Sequence, residues 1–213
     1  MLWIITALII SYLIGSVPTA YIFGRVLKGA DIRKFGSGNV GATNAMRLLG
    51  IKAGITVLIL DILKGFVVVY VLGGLLENKT TLLSRELILI LLGVTAICGH
   101  NWTVFLNFKG GKGIATTFGV LIGLAFNIPG LNLVLGLVIL SWIISFVISR
   151  IVSLSSVIAA VALPVYLVVF KQSRLIFITG IILSVFVILR HKSNLVRLFK
   201  GEEKRLNFSN KSR

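Results

Sequence analysis

Three stretches of the chain, 1–24, 87–108 and 151–170, contain no charged residue, and their apolar positions fall on every side of a helix rather than along one stripe. About 20 such residues are needed for a helix to cross a hydrocarbon core of roughly 30 Å. With the other apolar segments, the pattern predicts seven crossings, at about 2–24, 53–76, 86–106, 114–126, 131–149, 153–170 and 174–190. The uncharged stretch 113–149 is too long for one helix, and Asn127-Ile128-Pro129-Gly130 breaks it. Its first half, 114–126, is too short to span straight and reads as a half-helix or re-entrant segment covered by neighbouring helices. A membrane barrel would show alternating segments of about ten residues, which these runs are not. The expected fold is all-α: a polytopic helical membrane protein with seven transmembrane helices. The first run lacks a charged start and a small-residue cleavage site, so it is expected to stay as a crossing.

Composition agrees. Hydrophobic residues make up 57% and charged residues 13%, with a mean hydropathy of +1.04, so water is not the main solvent. The net charge of +16 would point to nucleic acid in a soluble protein. Here the basic residues flank apolar runs, which is the mark of topology and of anionic lipid heads, so no nucleic-acid partner is expected. With the N-terminus outside, segments 25–52, 107–113, 149–153 and 190–213 face the cytoplasm and hold 17 of the 22 Lys and Arg residues. That bias fits the positive-inside rule and leaves the C-terminus cytoplasmic. Cys98 is the single cysteine; it excludes an internal disulfide and reads as a small buried hydrophobe. No repeat or linker is visible, so one domain, 1–213, is expected.

The polar, glycine-rich clusters all fall on the inner side of this topology. The first is Gly36-Ser37-Gly38-Asn39-Val40-Gly41-Ala42-Thr43-Asn44, followed by Arg47. Its glycines let the backbone approach a ligand. Ser37, Asn39, Thr43 and Asn44 offer neutral hydrogen-bond groups, and Arg47 offers a fork suited to phosphate or carboxylate. The second is Lys109-Gly110-Gly111-Lys112-Gly113, leading into Thr116. Glycines at a helix start expose unpaired N–H groups to an anion, and two lysines add charge. The spacing is not that of a Walker loop. Ser153, Ser155 and Ser156 open a crossing, where Ser serves as a helix cap as readily as a ligand. The fourth cluster is Arg190-His191-Lys192-Ser193-Asn194, with Arg197, Gly201 and Glu203 beyond it. His191 and Asn194 share a face if the helix continues, and His191 can exchange a proton near neutral pH.

Two features lie within the bilayer. Asp61 and Lys64, three residues apart, are able to pair within the second crossing, as a functional pair or as a tie between helices. His100, beside Trp102, reads as packing or anchoring. No His, Cys and carboxylate cluster has metal spacing, and no cofactor is expected. A covalent acyl-enzyme has no candidate elbow or Cys–His pair. Neither histidine has Asp at its fifth following position, where Phe105 and Val196 stand. These residues alone define a cytoplasmic-face membrane enzyme or carrier of anions.

Taken together and in order, Gly15 to Tyr21, Asp31-Ile32-Arg33, GSGNVGATNAMR at 36–47, Asp61, Lys64 and Gly65, GHNW at 99–102, FKGGKGIAT at 108–116, and RHKSNLVRL from Arg190 with Gly201 and Glu203 closely resemble the bacterial acyl-phosphate:glycerol-3-phosphate acyltransferases, a small integral-membrane family. Thr103 stands where that family usually has Pro, and Leu195 where Ile is common. The resemblance implies transfer of a fatty acyl group from acyl phosphate to glycerol 3-phosphate, giving lysophosphatidic acid and phosphate in phospholipid synthesis. It implies an inward-facing active site in the bacterial inner membrane and no use of acyl-CoA or acyl-carrier protein. The enzyme that makes acyl phosphate is an implied partner. His191, Asn194, Ser37 and Arg47 are then expected to be catalytic. These four, together with Gly36, Gly38, Asn39, Thr43, Asn44, Lys109, Gly110, Gly111, Lys112, Gly113, Thr116, Ser153, Ser155 and Ser156, are expected to bind substrate. Either His191 or a substrate phosphate takes the proton.

Overall fold

The computed structural model describes residues 1–77, 79 and 81–206. Among them every regular element is helical, as backbone in lipid demands, because each N–H and C=O must be satisfied within its own segment. Five helical stretches are long and apolar enough to cross a membrane: Leu2–Lys28, Ile51–Leu76, Arg85–Leu106, Leu131–Ser149 and Val152–Val169. A sixth is the pair Arg174–Arg190 and Lys192–Phe199, bent by 58° at His191. Ile114–Ala125 is apolar but has only 12 residues, as its bounding Gly113 and Asn127–Gly130 turn led one to expect. Length and composition thus give five or six crossings, with the seventh segment short. The chain divides into two compact units, Met1–Pro129 and the remainder from Gly130.

In the first unit, α1 (Leu2–Ser16) and α2 (Thr19–Lys28) replace the single helix expected over 2–24. Pro18 is the reason: it lacks the N–H needed to continue the ladder. The carbonyls opened by the break are covered from afar. The Thr103 hydroxyl donates to Ser16 at 2.6 Å, and the Lys64 ammonium donates to Val17 at 3.2 Å. α3 (Ala42–Leu49) follows the first polar loop and leads into α4 (Ile51–Val67), which continues as a π-helical turn, Val68–Leu72, and the short α5 (Gly73–Leu76). α6 (Arg85–Asn101) begins with a Ser84 side-chain cap on Leu87, and α7 is Ile114–Ala125.

Small residues set how closely these helices pack. A Cβ on Gly15 would strike the Ala96 carbonyl, and one on Gly99 would strike the Tyr12 carbonyl, so α1 and α6 meet backbone to backbone. α4 and α7 do the same through Gly65 against Thr116 and Gly119 against Ile62. Without a hydrophobic drive between helices in lipid, such close contact is what holds them together.

The second unit contains α8 (Leu131–Ser149), α9 (Val152–Val169), α10 (Arg174–Arg190) and α11 (Lys192–Phe199). Polar bonds stitch its helices. Ser141 and Tyr166 hydroxyls lie 2.8 Å apart, the Trp142 indole donates to Ser156 at 3.3 Å, and the Ser184 hydroxyl donates to the Ala160 carbonyl. After α11, Gly201 turns in the left-handed region and the tail folds back, the Leu206 N–H donating to the Arg150 carbonyl at 2.8 Å.

Candidate active site

In the first unit the polar loop between α2 and α3 is shaped by its own side chains. Asp31 caps a 3₁₀ turn, Ile32–Lys34, and takes both arms of the Arg33 guanidinium, with Nε at 3.0 Å from Oδ1 and a terminal nitrogen at 2.7 Å from Oδ2. That charge-assisted pair holds the Asp31 carboxyl down at about 2 against the pull of burial. The Arg33 guanidinium and that of Arg25 both lie over the Tyr21 ring, at 5.3 and 5.2 Å.

Asn44 pins the other end. It is almost fully buried, its amide nitrogen donates to the Ile32 and Phe35 carbonyls at 3.1 and 3.0 Å, and its oxygen accepts the Ser37 N–H at 3.1 Å. Gly36 sits at φ +57°, and any side chain there would collide with the Asn44 oxygen. The loop is thereby tied down from inside, while Ser37 stays exposed, Asn39 and Thr43 half-buried, and Arg47 exposed on the last turn of α3. Arg47 has no ion-pair partner among the described residues.

The second loop is strapped to the end of α6. The Gly110 N–H donates to the Asn101 carbonyl and the Gly111 N–H to the His100 carbonyl, each at 3.1 Å. A Cβ on Gly111 would strike both the His100 ring and the Val40 carbonyl. The two loops that the sequence marked as anion-binding therefore meet at Gly111. Lys109 is exposed and Lys112 half-buried. Gly113, at φ +81°, takes the N-cap position of α7, so the first N–H groups of that helix face the loop. Thr116 is fully buried and its hydroxyl has no hydrogen-bond partner among the described residues.

In the second unit the residues gather around a carboxylate. Oε1 of Glu203 accepts the Ser153 hydroxyl at 2.7 Å and the Asn194 amide at 2.5 Å, and Oε2 accepts the Arg197 guanidinium at 2.7 Å. Burial pushes the Glu203 carboxyl up, but these three bonds outweigh it and hold it below the usual glutamate range. Ser153 is not the helix cap its position allowed: Ile151 is the N-cap, and the Ser153 hydroxyl goes to Glu203. Ser155 and Ser156 donate back to the Ile151 and Val152 carbonyls, at 3.0 and 2.9 Å.

His191 stands at the bend, closing α10 and opening α11. The helix does not continue through it, so His191 and Asn194 are linked by a turn, the Asn194 N–H donating to the His191 carbonyl at 2.9 Å. The imidazole Nδ1 lies 2.8 Å from the Val187 carbonyl. A carbonyl only accepts, so Nδ1 carries hydrogen and Nε2 is the nitrogen able to take a proton.

Sequence reasoning undervalued two residues. Glu203 read as part of a tail, and only the fold-back after Gly201 brings it to Asn194. His100 read as packing, yet it faces Lys64, 36 positions earlier, at 2.8 Å. Nothing local announces either contact.

These features define an all-helical, multi-pass membrane protein with two polar glycine loops that meet and a separate polar cluster held by a carboxylate. The profile of the glycerol-3-phosphate acyltransferase family matches residues 5–201, and the chain belongs to that family. The glycerol-3-phosphate acyltransferase of Fusobacterium nucleatum is 39% identical over 94% of this chain and 97% of that protein. The one from Staphylococcus saprophyticus is 41% identical over 96% and 98%. The crystal structure of PlsY, an integral membrane glycerol 3-phosphate acyltransferase, in its glycerol 3-phosphate form superposes with a TM-score of 0.83 at 34% identity, covering 96% of both chains. Its lysophosphatidic acid form gives 0.80 at 33% identity.

Proposed function

We propose that this protein transfers a fatty acyl group from acyl phosphate to glycerol 3-phosphate, releasing lysophosphatidic acid and phosphate, at the cytoplasmic face of a bacterial cell membrane. The observation that carries this reading is the likeness, over nearly the whole chain, to a structure described in both a glycerol 3-phosphate form and a lysophosphatidic acid form, the acceptor and product of such a transfer. The donor is the one that the family resemblance implies, and its chemistry is consistent with the motifs. Acyl phosphate is a mixed anhydride and needs no covalent enzyme intermediate, and the motifs offer neither an elbow serine nor a Cys–His pair.

In this reading the acceptor hydroxyl attacks the acyl carbonyl, a new ester C–O bond forms, and the bond from the acyl carbon to the phosphate oxygen breaks. The enzyme positions both substrates and stabilises the developing charge. Arg47, Lys112 and the N–H groups that open α7 bind phosphate, and Ser37 and Asn194 hold polar groups of the substrates. The hydroxyl proton goes to Nε2 of His191 or to a phosphate oxygen of a substrate. The chain acts as one domain with seven crossings, N-terminus outside, the short α7 among them. The enzyme that makes acyl phosphate is its natural supplier, since an activated anhydride dissolved in a bilayer is best passed on quickly.

The test is purified protein in detergent with acyl phosphate and labelled glycerol 3-phosphate. Labelled lysophosphatidic acid, formed one for one with phosphate, is the expected result. Counterflow of glycerol 3-phosphate in vesicles without any acylation would overturn the reading in favour of a carrier.

A further inference from the structure

Lys64 is a cation buried in the apolar α4, and its ammonium has three hydrogens and no lone pair. All three are placed: on Oδ1 of Asp61 at 2.8 Å, on the Val17 carbonyl at 3.2 Å, and on Nδ1 of His100 at 2.8 Å. Because Lys64 can only donate, Nδ1 accepts, and His100 is a neutral imidazole with its hydrogen on Nε2. Asp61 in turn accepts the Thr19 hydroxyl at 2.6 Å. Asp61, Lys64 and His100 are 1, 7 and 8% exposed. An ion pair serving only to join α4 to the α1–α2 break is complete with Asp61 and Val17. The third bond does something else, because it fixes the tilt of the His100 ring.

The far side of that ring is occupied by the glycine loop. The space where a Gly111 side chain would stand is filled by Nε2 and Cε1 of His100 on one side and the Val40 carbonyl on the other. The His100 and Asn101 carbonyls receive the Gly111 and Gly110 N–H groups. One residue thus supports the loop by its ring and its main chain together, at the point where the loop meets Val40 of the 36–47 loop. Glycine is required here because the ring is flush against the backbone.

We infer that His100, locked by Lys64 and Asp61, is a positioning residue that sets the 110–113 loop against the 36–47 loop, and so sets the fit of the bound phosphate. This rests on the acyltransferase reading. It gives an intramembrane charge pair a role in substrate fit at a distance, through one imidazole.

The test uses the full chain in detergent and measures kcat, KM for each substrate, melting temperature, and inorganic phosphate binding by titration calorimetry. His100→Ala is expected to raise KM for one phosphorylated substrate at least tenfold and to weaken phosphate binding as much, with kcat changed less than threefold. His100→Gln is expected to restore KM to within threefold, since its oxygen can accept from Lys64 while its amide nitrogen replaces Nε2–H. The double variant D61N/K64M removes the donor to Nδ1 without leaving a lone charge; it should raise the same KM, and adding His100→Ala should add less than twofold more. Unchanged KM and phosphate binding in His100→Ala and D61N/K64M would overturn the inference. So would a lower melting temperature and kcat at normal KM, without rescue by Gln, which is the mark of a purely structural role. Phosphate binding needs no turnover, so wild-type protein that makes no lysophosphatidic acid strikes the functional reading alone.

Discussion

The Asn194 side chain is held by Glu203, whose Oε1 lies 2.5 Å from the amide nitrogen. This bond decides which way the amide faces, with its nitrogen turned to Glu203. Glu203 thereby acts as the orienting group for Asn194, which the sequence alone placed only by its helical spacing from His191.

Replacing Glu203 should therefore cost both stability and rate. Glu203→Ala leaves buried donors from Ser153 and Asn194 unmatched, at about 1–3 kcal/mol each, and its melting temperature should drop clearly in detergent. The carboxyl is held below its ordinary range when folded, so its contribution is full above the unfolded glutamate pKa of about 4.3 and is lost as pH falls through the lower folded value. Thermal melting across pH 3 to 6 should show wild type losing stability at the acid end, with the gap to Glu203→Gln narrowing there. A gap that stays constant across that range would remove Glu203 from this role.

The two anion loops give a second expectation. Arg47→Ala and Lys112→Ala should each lower kcat/KM at least tenfold, about 1.4 kcal/mol of transition-state binding. Lys79, whose ammonium rests 5.8 Å from the Trp3 ring centre, is the control, and Lys79→Ala should change little. Near-normal kinetics for both loop variants would show that phosphate is held elsewhere.

Topology is open to direct labelling. With Cys98 replaced by Ser, single cysteines at Lys79 and Lys171 should react with an impermeant thiol reagent in intact cells, and one at Lys200 should react only after the membrane is opened. Labelling at Lys200 in intact cells would reverse the orientation and the odd number of crossings.

The proton acceptor can be found from two variants of one residue. His191→Ala removes the imidazole; His191→Gln keeps hydrogen bonding without a group that titrates near neutrality. With a substrate phosphate as base, Gln should recover much of the rate, and the acidic limb of the pH profile should persist, since the second pKa of a phosphate monoester is near 6. A loss of roughly 10²–10⁴ in both variants, with the acidic limb gone, would assign the base to His191 instead.

Five or six of the seven expected crossings were legible because the bilayer imposes length and apolarity on any segment that spans it, and the turn at Asn127–Gly130 was marked by its own Asn, Pro and Gly. The break at Pro18 was written in Gly15-Ser16-Val17-Pro18, but it was hidden inside a run with no charge to mark it. Within the site, the 36–47 and 109–113 loops stood out by composition. The internal work of Asn44, the Lys64–His100 contact and the return of Glu203 to Asn194 did not, because each depends on a partner set by tertiary packing. Ser153 shows the same limit: its sequence position suited a cap, and a carboxylate fifty residues later claimed its hydroxyl.

The brevity of α7 has a consequence for depth. Its 12 residues rise about 18 Å, whereas the 17 residues of α6 beside it rise about 25 Å. At one end the two are level, since Arg85 at the start of α6 donates to Asn127 just past α7 at 2.8 Å. At the other end the shortfall of about 7 Å is made up by the glycine loop, which bends in along the last turn of α6 instead of standing above it. The 109–113 loop, to which the proposed function assigns phosphate binding, is thus sunk below the end of α6. In a reaction between a water-soluble acceptor and a donor anchored by its fatty chain, a recessed loop brings the dissolved partner down to the lipid, and the fatty chain need not be lifted out of the bilayer.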